Sequence, residues 1–178
     1  MPHFRTLTAA LLPCVVALSA CASMDATGPR DIGRATLTFA DGRSAGTAIV
    51  LENGNTLQLR VTAAGLPAGP HGFHLHTTAK CEAPGFTSAG GHLNPDARKH
   101  GTLAQGGAHL GDLPNLEANA SGSAMATLDI AGGLAARASI FDADGTAVVI
   151  HANPDDYRTD PTGGAGDRIA CGVIRRVE

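Results

Sequence analysis

Three of the chain's eight histidines crowd into the hexapeptide HGFHLH at residues 71–76. In a strand, side chains two apart share a face about 6 to 7 Å apart, so His74 and His76 can converge on one metal ion. An H-x-H pair by itself also fits a surface or core position. His71, three residues from His74, falls on the opposite face and reads as a hydrogen-bonded structural residue. The next segment, GGHLNPDARKHGTLAQGGAHLGD, places His92, His100, His109 and Asp112 within twenty-one residues. Three imidazoles and a carboxylate form a complete tetrahedral zinc set, and a metal can order a loop that lacks apolar residues to bury. A solvated histidine-rich loop is the alternative on spacing alone. His151 ends the apolar run TAVVIHA just before a second irregular stretch, NPDDYRTDPTGGAGD. With His3 in the leader, the other seven histidines all lie in or beside these two irregular segments.

The elements that must carry these residues are strands. RATLTFA (34–40), AGTAIVLE (45–52) and TLQLRVTA (56–63) alternate apolar and polar residues across the turn signals DGRS and NGN, which predicts two successive hairpins. HGFHLH follows, then about 45 residues without sustained period, a length that a compact domain tolerates mainly where the loop is functional. Strand patterns return in GSAMATLDI (122–130), ARASIFDA (136–143), TAVVIHA (146–152) and RIACGVIRRV (168–177). Eight candidate strands, two long loops and no amphipathic helix of useful length predict an all-β domain, an eight-stranded antiparallel sandwich or flattened barrel. The 178 residues suit one domain, with 23 glycines for tight turns and no tryptophan, so that Val, Leu, Ile and Ala must build the core.

Residues 1–20 read as an export signal: Arg5 precedes the apolar run LTAALLPCVVALSA, which is short for a membrane span. The run ends in LSAC, similar to a bacterial lipobox, where cleavage precedes Cys21 and the thiol is lipidated. An ordinary secretory signal that discards Cys14 and Cys21 is the alternative. Residues 21–33 then form a tether of small and polar residues, and the domain spans 34–178. Without Arg5 the chain has 12 basic and 16 acidic side chains, a net of about −4, and no feature that suggests nucleic acid. Cys81 and Cys171 remain as one pair, which in an exported protein is most simply a disulfide, with two buried free thiols as the alternative. Closing a loop of about 90 residues stabilises a fold by at most roughly 4 to 5 kcal/mol in the chain-entropy model.

Taken together, HGFHLH, GGHLNPDARKHG, AHLGDLPN, VVIHANPDD and GAGDRIACGVI resemble the copper/zinc superoxide dismutase family from about residue 34 to the end, and the export signal makes the chain look like a periplasmic bacterial member. The resemblance implies a Greek-key barrel and disproportionation of superoxide, with a copper ion and a zinc ion as cofactors. By position, His74, His76, His92 and His151 match the copper ligands, and His92, His100, His109 and Asp112 match the zinc ligands. His92 then serves both metals. Asp155 matches the carboxylate that hydrogen-bonds the copper ligand His74 and the zinc ligand His100, a kind of partner that fixes ring orientation. Arg168 matches the arginine that attracts and orients the superoxide anion, and Cys81 and Cys171 match the family's intrasubunit disulfide. GGAGD before Arg168 reads as a backbone bend, since no phosphate-loop pattern or following helix accompanies it.

Two positions depart from the pattern. Pro161 stands where many members carry lysine before the residue matching Thr162, and Asp167 sets a carboxylate beside Arg168. Steering would then fall to Arg168, Arg158 or Lys80. Non-enzymatic alternatives on the same fold are a copper-binding or copper-delivery lipoprotein and a zinc-binding one. The expected location is the periplasm, anchored through Cys21 to the outer membrane, because Ala22 rather than aspartate follows the cysteine. Monomer and homodimer both stay open.

Overall fold

The protein is described by a computed structural model covering Met1 and residues 28–177. The expected leader and Cys21, the expected lipidation site, lie outside the described residues.

Three long strands open the domain: β1 (Arg30–Phe39), β2 (Ser44–Asn53) and β3 (Thr56–Ala63). They pair as an antiparallel meander, and their alternation sends Leu37, Val50, Leu57, Leu59 and Val61 inward. β1 starts inside the segment expected to be tether, because Ile32 is buried in the core and Arg30 pairs with Glu52 on β2. β4 (Gly69–His71) and β5 (Phe73–His76) are one run of chain broken at Gly72. They are followed by β6 (Leu116–Ala118), β7 (Ala124–Ile130), β8 (Ala147–His151), β9 (Arg168–Val173) and β10 (Arg175–Arg176).

The main sheet runs β5-β8-β9-β1-β2-β3-β7, all neighbours antiparallel, with β10 on β1. Within this sheet the chain passes between non-neighbouring strands from β3 to β5, from β5 to β7 and from β7 to β8, in Greek-key fashion. β4 pairs with β6, so the two ends of the curled sheet approach each other through this small second ladder. The core inside holds Phe73, Leu75, Val148, Ile150 and Ala170 along with the meander residues.

Further segments differ from the sequence expectation, among them 168–177, expected as one strand, which breaks at Ile174 into β9 and β10. Residues 136–143, expected as a strand, form a 3-10 turn (Gly133–Ala136) and a short helix α1 (Arg137–Ile140). ARASI satisfies two periods at once: alternation, and the four-residue spacing of the two buried positions Ala136 and Ile140, which a helical turn puts on one face. Gly132 and Gly133, both at positive φ, turn the chain into it. β6 was hidden in the long irregular stretch; three residues are too few to show a period.

Candidate metal centre

Along β5 the alternation of HGFHLH is resolved by packing. Phe73 and Leu75 enter the core, and His74 and His76 point to the other face, where the long loops bury them completely. The loops dock on the β5 backbone: Leu75 N–H donates to Gly111 O, Leu93 N–H donates to Leu75 O, and His74 and His76 face Asp112 and His92 in isolated bridges. Glycine is required at 111, where a Cβ would stand 2.3 Å from the Leu75 carbonyl oxygen. His151 comes from the end of β8, and the β8–β9 register sets it opposite Arg168. Cys81 and Cys171 form a disulfide that ties the first loop to β9.

His74, His76, His92 and His151 bring one ring nitrogen each within 4.8 Å of one another, all buried. In each ring the other nitrogen already has a partner. His74 Nε2 lies 2.8 Å from Asp155 Oδ2, His76 Nδ1 donates to Gly90 O at 3.0 Å, His92 Nδ1 lies 2.9 Å from Asp112 Oδ1, and His151 Nδ1 donates to Gly166 O at 3.1 Å. These partners are acceptors, so each holds the ring proton on its own side and leaves the opposite lone pair free. The four free atoms, His74 Nδ1, His76 Nε2, His92 Nε2 and His151 Nε2, are buried and have no hydrogen-bond partner. Four unprotonated imidazole nitrogens facing one another suit a transition metal such as copper, and no polar group among the described residues satisfies them.

A second group, His92, His100, His109 and Asp112, shares His92 with the first. Asp112 Oδ1 lies 2.9, 3.0 and 3.1 Å from the Nδ1 atoms of His92, His100 and His109, and the His92 and His109 nitrogens are 3.4 Å apart. Four ligands held tetrahedrally about 2.0 to 2.1 Å from zinc stand roughly 3.3 Å from one another. The spacing therefore fits a cage for one zinc ion, with two Asp112 Oδ2 contacts, from Gly101 and His109 N–H, fixing the carboxylate. Once the proton on its Nδ1 is displaced, as metal binding requires, His92 can offer Nδ1 to this cage and Nε2 to the other.

Asp155 links the two groups: Oδ2 meets His74 Nε2, and Oδ1 meets His100 Nε2 at 3.0 Å. Arg168 is half-buried and donates to Phe86 O and Gly90 O, both at 2.7 Å. His71 stays outside the clusters, its ring nitrogens 2.8 Å from the carbonyl oxygens of His151 and Pro67.

Burial dominates the titration of the site. It pushes His76 down to about 2, His151 to about 3 and His92 to about 4, the last against the pull of Asp112. These rings are neutral at neutral pH, as metal binding requires. His100 is the exception: burial opposes its charge, but hydrogen bonds to Asp112 and Asp155 raise it to about 9. Both carboxylates are held well below the usual range despite burial, through hydrogen bonds from His100 and its neighbours.

Two contributors carry no signal in residue type or spacing. The Gly90 carbonyl oxygen serves both His76 and Arg168, and Asn115 grips the Asp155 backbone, its Oδ1 accepting from Asp155 N–H at 2.8 Å.

Comparison with known proteins agrees with this geometry. The family described as copper/zinc superoxide dismutase matches residues 44–174. The chain is 37% identical to superoxide dismutase [Cu-Zn] 2 of Aquifex aeolicus over 96% of this chain and 99% of that protein. It is 42% identical to the superoxide dismutase [Cu-Zn] of Caulobacter vibrioides, over 79% of this chain and 84% of the relative. Among solved structures, a SOD-like protein from Bacillus subtilis superposes with TM-score 0.74 at 33% identity, covering 82% of this chain and 99% of that one. The Cu/Zn superoxide dismutase from Brucella abortus superposes with TM-score 0.65 at 31% identity, over 80% and 98% of the two chains. With the family match running from the start of β2 past the end of β9, the chain belongs to the copper/zinc superoxide dismutase family.

Proposed function

We propose that this protein disproportionates superoxide to dioxygen and hydrogen peroxide, with copper held by His74, His76, His92 and His151 and zinc by His92, His100, His109 and Asp112. The observation that carries the reading is the set of four buried, partnerless ring nitrogens beside a second cage that shares His92. Bound copper supplies a one-electron redox couple and bound zinc supplies fixed charge without redox chemistry.

The chain's own residues supply the rest. The acceptors Asp155, Gly90 O and Gly166 O orient the rings of His74, His76 and His151, and burial keeps bulk water from the nitrogens. Arg168 brings a fixed positive charge to a small anion, its two carbonyl contacts restraining the guanidinium. Dismutation consumes two protons, and Nε2 of His92 is the atom between the cages at which the chain can hold one.

The domain is read as working in the periplasm, after cleavage of residues 1–20 and lipidation of Cys21, with an outer-membrane anchor. LSAC and the small, polar segment behind it support that location. The mass of the mature N-terminal peptide tests it, since an unmodified Cys21 or a cut elsewhere contradicts the anchor.

A superoxide disproportionation assay on the chain from Ala22, loaded with measured copper and zinc, tests the activity. Full loading without turnover would leave a copper-binding or zinc-binding protein on the dismutase fold.

A further inference from the structure

The chain's one tyrosine lies in the second loop, two residues after Asp155. Tyr157 has φ +60°, the left-handed region where residues other than glycine are uncommon. Three hydrogen bonds hold it there. Its N–H donates to Asp155 Oδ1 at 2.6 Å, its carbonyl accepts from Leu103 N–H at 3.1 Å, and its phenolic oxygen accepts from Asn115 N–H at 2.8 Å.

Asn115 closes a ring. Its side chain pairs with the Asp155 backbone in both directions, accepting from the N–H at 2.8 Å and donating to the carbonyl at 3.0 Å. Asp155, Tyr157 and Asn115 therefore each bond to the other two, across the two long loops. Asn115 stands three residues after Asp112, so the ring joins the segment that carries a zinc-cage carboxylate to the segment that carries Asp155. Gly101 tightens the junction: its N–H donates to Asp112 Oδ2, and a Cβ there would lie 2.0 Å from the Tyr157 carbonyl oxygen.

The geometry of Asp155 makes such a lock necessary. Its two oxygens must meet two imidazoles from different elements, His74 on β5 and His100 in the first loop, yet Asp155 itself sits on a loop without secondary structure. A carboxylate free to swing about its backbone would lose one contact or the other.

We propose that Tyr157 is a positioning residue of the two-metal site, whose phenolic oxygen and N–H, with Asn115, lock the Asp155 carboxylate between His74 and His100. The proposal rests on the reading of Asp155 as the link between the two cages.

Tyr157→Phe deletes only the phenolic oxygen and keeps the ring. In the mature chain loaded with zinc alone, chelator competition should show zinc binding weakened about tenfold, the low end for outer partners of a metal ligand. Asp155→Ala should weaken it at least as much, and Tyr157→Phe should add nothing in the Asp155→Ala background, because both act through one carboxylate. Equal losses in both backgrounds, or no loss on Tyr157→Phe alone while Asp155→Ala has its effect, would overturn the role of Tyr157. Unchanged zinc binding in Asp155→Ala would overturn the reading of Asp155 and this proposal with it.

Discussion

Arg168 and His76 donate to the same acceptor: the carbonyl oxygen of Gly90 lies 2.7 Å from Nη2 of Arg168 and 3.0 Å from Nδ1 of His76. One backbone atom thus sets the position of the guanidinium relative to a ring of the proposed copper cage. Arg168→Ala should lower the rate of superoxide disproportionation about tenfold or more and flatten its dependence on ionic strength, since a fixed cation that steers an anion is screened by salt. Copper content should hold, because Nδ1 of His76 keeps its acceptor. Arg168→Lys should fall between, as an ammonium keeps the charge but cannot reproduce the fork that reaches both Phe86 O and Gly90 O. Pulse radiolysis over a salt series reads both effects, and an alanine variant with the wild-type rate and salt slope would remove Arg168 from substrate attraction.

The two cages should come apart under substitution, because only His92 belongs to both. His151→Ala removes a nitrogen of the copper cage and no atom of the zinc cage. Activity should vanish while zinc stays bound at close to one ion per chain. Asp112→Ala should instead loosen zinc more than copper, because Asp112 Oδ1 touches all three zinc-cage nitrogens. Metal analysis by mass spectrometry after dialysis gives both ratios; full dismutation by His151→Ala would mean that copper is held elsewhere.

Much of this arrangement can be read from local sequence. β3 spans the expected 56–63, and alternation in HGFHLH suffices to send Phe73 and Leu75 one way and His74 and His76 the other. The lack of period after β5 likewise marks the long loop. What local pattern cannot carry is contact between distant backbones. Asn115 N–H and Tyr157 Oη meet across forty-two residues, and the Gly90 carbonyl is an atom every residue possesses. The segment at 136–140 fails for another reason: its apolar spacing obeys two periods, and only packing of Ala136 and Ile140 on one side selects the helix.

Protonation should shape the stability of the metal-free protein. Burial holds His76, His151 and His92 at about 2, 3 and 4 against an ordinary 6.5, so below pH 6.5 the unfolded chain binds protons that the folded one does not. Stability therefore falls as pH drops from 6.5. His100, raised to about 9, acts in the opposite sense: its contribution is complete below 6.5 and is lost as pH rises through about 9. The midpoint of thermal melts in the presence of a chelator should peak near pH 6.5 and decline on both sides. His100→Asn should flatten the alkaline decline and leave the acid one, and an alkaline decline unchanged by that substitution would rule out His100 as its source.

Gly163 and Gly164 allow strain to be separated from contact with the site. Both have positive φ, +67° and +64°, so alanine at either position pays a similar backbone penalty of about 1 kcal/mol or somewhat more. Their surroundings differ. A Cβ on Gly163 would stand 1.9 Å from Asp155 Oδ1 and 2.7 Å from His100 Nε2, whereas on Gly164 its nearest neighbour is Asp156 Oδ2 at 3.9 Å. Gly164→Ala should lower the melting temperature by a few degrees with zinc affinity unchanged. Gly163→Ala should lower both, because the new methyl must push the carboxylate off His100 or shift the loop that carries it. Zinc affinity by chelator competition and melting temperature, measured on the same two proteins, decide the matter: parallel losses in both variants would mean that Gly163 serves the turn alone and that its contact with Asp155 has no part in holding the site.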